Sequence, residues 1–446
     1  MLLSLPSRNI ARSGAGAVRA YAHQAGSATI TTTNSNSAQT IISTPEDNKL
    51  TASISLFIKA GSRYQPSHGL AHLLKNSLFK STQKRSALSV VRETELLGGL
   101  LTSTLTREHL ILSAEFLKGN EGYFAEVLGD VLTSTKFARH EYEEEALPGA
   151  IAEYSQMQQD PTQVALEQAH QLAFREGLGN SLYVHPDLLP ASQEAVIEYG
   201  RTKLGQTGEQ AIVGTGIDGT RLAELVGQFF SVPSGSAPAG GRTGEAQTSY
   251  YGGEARITSA HGPDTLLVAF KGVGEGSSRA AYTVLQHLLG SDPSSVKWSS
   301  GGSTPLSSLP VKAFHLSYSD IGLFGLLVKA PASQTKSLAS QALNHLKQIA
   351  NGKNVDQDAV NRAANKAKFL LACGLESNLL RNELLGTKSR ISPNSSPQQL
   401  SELYSVYSQV TPDQVIQAAK DILASTPSTV AVGNTQLLPY FDQLTL

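Results

Sequence analysis

Over residues 50–60 apolar and polar positions alternate, placing Ala52, Ile54, Leu56 and Ile58 on one face of a strand. Gly61 and Ser62 turn the chain, and a helix is expected over about 69–80. A second helix covers about 86–97 and is stopped by Gly98 and Gly99. Residues 100–106 and 109–117 read as a hairpin that turns at Arg107 and Glu108. Asn120 is placed to cap a helix whose apolar stripe is Tyr123, Val127, Leu128, Val131 and Leu132. An acidic helix follows over about 141–158, and Pro148 is expected to break or kink it. Asp160 and Pro161 begin another helix toward residue 175.

Residues 231–253, rich in Ser, Pro, Gly and Ala, read as a linker. Beyond it the order of elements recurs. Residues 265–271 form a strand, 279–290 a helix, and 311–330 a hairpin around Ser319 and Asp320. Residues 334–350 are helical, and 356–385 form a longer helical region. Strand, helix, hairpin, helix and long helix therefore occur twice, as a repeat of pattern more than of identity. Two similar domains are expected, over 49–230 and 254–446.

Length agrees, because 446 residues exceed what one hydrophobic core organises. With 40% hydrophobic and 16% charged residues the composition is that of a soluble globular protein. No apolar run approaches the roughly 20 residues needed to span a bilayer, so membrane association is expected through partners only. The formal net charge is −1 and no basic block occurs, so nucleic-acid binding has no support. Cys373 is the single cysteine, which rules out an intrachain disulfide and a cysteine-based zinc site. Its neighbours Phe369, Leu370 and Leu371 suggest a buried position.

The first acidic residue is Glu46. Before it stand Arg8, Arg12 and Arg19 among many Ser, Ala and Gly, the composition of a mitochondrial presequence. Arg19 lies two residues before Tyr21, which suggests a cut there. Residues 1–21 are thus expected to be a presequence and 22–48 a flexible lead, with the matrix as the compartment.

Residues 69–76 read GLAHLLKN. This is the outline of an inverted zinc-peptidase helix, H-x-x-E-H, in which histidines four apart share a face and grip one zinc. The glutamate between them serves as general base for the metal-bound water. Here His72 stands first, Lys75 replaces the glutamate and Asn76 replaces the second histidine. A charged lysine cannot accept the proton, and asparagine is a poor zinc ligand.

On these residues, with AGSRYQPSHGLAHLLKNSLFKST at 60–82, RETELLGG at 92–99 and YSDIGLFG at 318–325, the chain resembles the mitochondrial processing peptidase (pitrilysin-like) family. LES at 375–377 and GTKS at 386–389 add to the match, which runs from about residue 49 onward. Within the family it is most similar to the fungal branch of core subunits of ubiquinol–cytochrome c reductase. The resemblance implies an α+β fold of the LuxS-metallopeptidase-like type, with two similar domains, each an antiparallel sheet covered by helices. It places the family's third zinc ligand near Glu153, leaving one nitrogen and one carboxylate, a weak zinc site. No catalytic residue, metal or cofactor is therefore expected, and Glu153 reads as a charge on an acidic helix.

The implied role is a non-catalytic scaffold of respiratory complex III, peripheral on the matrix side of the mitochondrial inner membrane. Implied partners are core subunit 1, cytochrome b, cytochrome c1 and the Rieske iron–sulfur subunit, in a homodimeric complex. The alternative within the family is the non-catalytic, presequence-binding subunit of the processing peptidase. An active zinc peptidase would need chemistry from Lys75 and Asn76.

Three further features carry less. His68 lies four residues before His72 but is expected in the loop ahead of the helix. Residues 271–276, KGVGEG, lack the spacing of a phosphate loop and read as a flexible connection. The loop 290–308 holds Gly301, Gly302 and the only tryptophan, Trp298, and reads as a mobile linker or a contact loop.

Overall fold

The computed structural model describes residues 30–34, 39–45, 49–189, 192–230, 248–276, 278–290, 304–391 and 400–444. In the first half β1 (Thr31–Asn34), β2 (Thr40–Thr44) and β3 (Thr51–Ile58) precede α1 (Leu70–Ser77) and α2 (Ala87–Leu96). β4 (Leu100–Leu105) and β5 (Leu110–Leu117) form the expected hairpin. Then follow α3 (Glu121–Ser134), α4 (Arg139–Glu141), α5 (Leu147–Gln158), α6 (Pro161–Phe174), α7 (Gln193–Leu204), β6 (Gln210–Thr215) and α8 (Gly219–Phe229). The second half runs β7 (Gly253–Thr258), β8 (Thr265–Val273), α9 (Arg279–Leu289), β9 (Val311–Ser317), β10 (Ile321–Lys329) and α10 (Ala332–Ala350). It ends with α11 (Gln357–Glu376), α12 (Asn378–Ile391), α13 (Leu400–Ser408), α14 (Pro412–Leu423) and β11 (Ser428–Gly433). The expected presequence 1–21, residues 231–247 of the expected linker, and Trp298 within 291–303 lie outside the described residues.

The sheet orders are β1-β2-β6-β3-β5-β4 and β7-β11-β8-β10-β9. Set side by side, β2, β6, β3, β5 and β4 correspond to β7, β11, β8, β10 and β9. The pairing senses agree as well. β2 runs parallel to β6 as β7 does to β11, and every other pair in the corresponding set is antiparallel. The α+β class is as the sequence indicated, but each sheet is mixed, with one parallel pair. β6 and β11 each re-enter their sheet after a run of helices, and such a crossover permits the parallel sense.

Each sheet buries both faces, and one face of each is covered by a helix from the opposite half of the chain. Ala52, Ile54, Leu56 and Ile58 point into a core with α1, α3 and α8. The other face of β3 carries Ser53, Ser55 and Phe57, and it packs on α12, whose Leu385 joins Phe57, Ile111 and Val213. Reciprocally, Ala165, Ala169, Ala173 and Phe174 of α6 cover Leu267, Ala269, Leu323 and Val430 of the second sheet. Its other face packs on α9, α10 and α14 through Val268, Phe270, Leu285, Leu346 and Val415. Each such leucine or phenylalanine stabilises the fold by about 1.5–3 kcal/mol.

Local expectations meet four corrections. β1 and β2 fall inside the stretch read as a flexible lead, because Ile41 and Ile42 are buried on opposite faces of the first sheet. Asn120 precedes α3 without capping it, since its amide donates to the Leu97 carbonyl at 3.4 Å. Pro148 does not break its helix. The helix runs on from α4 through a π-helical turn, Tyr142–Ala146, into α5, and the widened turn just before the proline, where the Leu147 N–H donates to the Tyr142 carbonyl, accommodates it. Cys373 is exposed, on the face of α11 that also shows Phe369, because α11 buries Ala359, Val360, Ala363, Ala364 and Ala367 instead.

Candidate functional site

The site grows from the start of α1. Gly69 takes φ +80, and a Cβ there would lie 2.4 Å from Val184 Cγ2, so only glycine fits. In place of a capping side chain, Gln65 Oε1 accepts from the Ala71 N–H at 3.1 Å. Leu70, Ala71, Leu73 and Leu74 anchor the helix in the first core. That leaves His72, Lys75 and Asn76 on a shared face toward α5.

Glu153 of α5 meets this face. His72 Nε2 lies 2.8 Å from Glu153 Oε2, and Lys75 Nζ donates to both carboxylate oxygens at 2.6 and 2.7 Å. Asn76 turns back to donate to the His72 carbonyl at 3.1 Å. Burial disfavours the charged carboxylate, yet the hydrogen bonds from His72 and Lys75 outweigh it and hold Glu153 down at about 2 from an ordinary 4.5. His72 is 2% exposed, with the Tyr183 ring edge-on at 5.4 Å. Its Nδ1 accepts from the Val184 N–H at 3.1 Å.

The positions that the family motif brings together are thus together here, and Glu153 is part of the cluster instead of a surface charge. The residues do not fit a catalytic zinc. They offer one imidazole and one carboxylate, and an ammonium already lies against that carboxylate. Among the described residues no group of three His, Cys, Asp or Glu could hold a metal ion. His68 is exposed in the turn ahead of α1 and takes no part in the cluster. Tyr183 and Val184 carried no sequence signal, because their role depends on where the chain returns more than a hundred residues after His72.

Beside the cluster opens a cleft of about 220 Å³, lined among others by His68, Tyr154, Glu167, Arg175, Tyr183 and His185. A second polar constellation lies where the turns of the two corresponding hairpins meet. Arg63 donates to Glu108 at 2.9 Å and, through both terminal nitrogens, to Asp320 at 2.9 and 2.8 Å. Burial opposes the Asp320 charge, but Arg63 and the Thr248 amide prevail and set the carboxyl at about 2. Arg107 donates to the Leu178 and Asn180 carbonyls at 3.0 and 2.8 Å, and to Glu167. Two of the three glycines of KGVGEG serve this junction. A Cβ on Gly272 or Gly274 would come within 2.9 or 2.6 Å of the backbone of β10 or its turn, which explains them without a phosphate.

Comparison with known proteins agrees with this geometry. The model of the insulinase family (peptidase family M16) matches residues 40–185, the segment that carries both α1 and Glu153. The chain is 40% identical over 410 residues to the mitochondrial cytochrome b-c1 complex subunit 2 of Cryptococcus neoformans var. grubii, covering 89% of this chain and 90% of the relative. The Schizosaccharomyces pombe protein of that name is 33% identical over 403 residues, covering 88% and 90%. The human one is 29% identical over 418 residues, covering 91% and 90%.

Proposed function

Because the chain belongs to the cytochrome b-c1 complex subunit 2 family, we propose that it is a non-catalytic core subunit of respiratory complex III, supporting ubiquinol–cytochrome c electron transfer without a redox centre. The observation that carries this is 40% identity extending over 89% of the chain and 90% of the Cryptococcus relative. The chemistry supports it. A peptidase needs a base and an activated water, whereas Lys75 is a cation paired with Glu153 at 2.6 Å. No described helix is long and apolar enough to cross a membrane, so attachment to the inner membrane runs through other subunits.

The finer reading follows the family. The chain pairs with core subunit 1 on the matrix side, in contact with the subassembly of cytochrome b, cytochrome c1 and the Rieske protein, within a homodimeric complex. Residues 1–21 act as the presequence, and residues 49–230 and 254–446 are the two domains joined by the linker 231–253. A two-unit body with reciprocally exchanged helices suits this use, since it presents a large surface with fixed geometry. Mild-detergent purification from mitochondria with mass spectrometry of co-migrating subunits tests the proposal. Co-purification with cytochrome b and cytochrome c1 is expected. Recovery in a soluble matrix heterodimer would instead favour the presequence-binding subunit of the processing peptidase.

A further inference from the structure

Losses at positions 75 and 76 are not the only obstacle to metal in this site. Val184 is fully buried, and its backbone N–H donates to His72 Nδ1 at 3.1 Å. A neutral imidazole carries one proton, so an accepting Nδ1 places that proton on Nε2. Nε2 then donates it to Glu153 Oε2 at 2.8 Å. A histidine that binds metal has the reverse arrangement: the ligating nitrogen is bare, and the other ring N–H is given to a carbonyl or carboxylate.

We propose that the Val184 amide is a tautomer lock, holding His72 as the Nε2–H form and thereby closing the His72–Glu153 pair to divalent metal, with the Lys75 ammonium as its resident cation. The lock is rigidly mounted. Val184 fills the space that Gly69, having no side chain, leaves at the start of α1, and the Tyr183 ring packs edge-on against His72 at 5.4 Å. Lys75 occupies both carboxylate oxygens, so the carboxylate's charge is met from within the chain. Restoring the family motif at 75 and 76 therefore leaves the first histidine with its proton on the wrong nitrogen. This deepens the scaffold reading and rests on it only in that both deny the site a metal-bound water.

The test is a Co²⁺ titration of the full chain carrying Lys75→Glu and Asn76→His, followed by the visible absorption of the bound ion. No stoichiometric site is expected. Adding Val184→Pro, which removes the donor, is expected to let the bands develop, and a folded triple variant without bands overturns the lock. Should the proline prevent folding, ¹⁵N spectra of the histidine-labelled natural chain read the tautomer directly, with His72 assigned by comparison with His72→Gln. Nε2–H supports the lock and Nδ1–H overturns it. Stoichiometric Co²⁺ binding by the two-substitution variant overturns the lock but leaves the scaffold reading standing. Zinc-dependent presequence cleavage by the natural chain would overturn both.

Discussion

Ser319, in the turn between β9 and β10, donates its hydroxyl and its N–H to Glu108, in the turn between β4 and β5, at 2.5 and 3.1 Å. The two residues occupy corresponding hairpins of the two halves, so the repeat meets itself turn to turn. Arg63 bridges this contact, with a side chain 6% exposed beside a Glu108 side chain 7% exposed. The meeting is therefore a nearly dry ion-pair network, in which each charge depends on the others.

Arg63→Met should strand Glu108 and Asp320 without their cation. Breaking a buried pair from one side costs about 3–5 kcal/mol, so the denaturant midpoint should fall well below that of the natural chain. Lys80→Met, which removes a pair whose glutamate partner is 54% exposed, should cost only about 1 kcal/mol or less and shift the midpoint correspondingly little. Equal effects would show that the network between the turns is not specially coupled.

The seat of α12 on the first sheet is equally specific. Asn382 donates to the Ser53 and Ser55 hydroxyls at 3.0 Å each and accepts from Thr215 at 2.7 Å, all of them buried. One turn later a Cβ on Gly386 would lie 2.4 Å from the Phe57 ring. Gly386→Ala should destabilise by about 1–3 kcal/mol through overpacking, although alanine is the better helix former. A stabilised variant in thermal unfolding would mean that the helix does not lie this close.

His170 makes stability depend on pH. Burial, reinforced by nearby Arg107, pushes its pKa well below 6.5. The neutral ring donates from Nδ1 to the Leu166 carbonyl and accepts at Nε2 from the Tyr318 hydroxyl, each at 2.7 Å. Since the folded value lies below the unfolded one, its contribution is complete above pH 6.5 and is lost as pH falls below that. The slope in this window should approach about 1.4 kcal/mol per pH unit. His170→Gln should remove this increment of slope between pH 6.5 and 5, leaving the one from His315, whose pKa burial lowers from 6.5 to about 4. Glu153 and Asp320, both lowered to about 2, act in a separate window below pH 4.5.

Lys75→Met removes the cation from Glu153. Because that side chain is 36% exposed, water screens the loss, and the expected cost is about 1 kcal/mol. Added zinc should not restore the lost stability, as read by thermal unfolding with and without a chelator. Recovery by zinc to the level of the natural chain would contradict the closed-site account.

The sequence by itself determined the local elements and the plan. Alternation in β3, the paired hairpins and the helices flanking them are encoded in contact periods of two and about 3.6 residues, which a linear reading detects. It also determined that the motif on α1 lacks its base and second histidine, since those are residue identities. The tertiary structure alone decided what these pieces touch. β6, β7 and β11 are short strands whose partners are distant in the chain, so they left little local pattern. Ser53 and Ser55 look like solvent-facing positions of β3 until Asn382, more than 300 residues later, covers them. The same holds at the site. Whether Glu153 was a stray surface charge or the partner of His72 and Lys75 depended on how α5 packs on α1. The tautomer of His72 depended on a backbone amide 112 residues away, because a hydrogen bond is set by proximity in space and not by order along the chain.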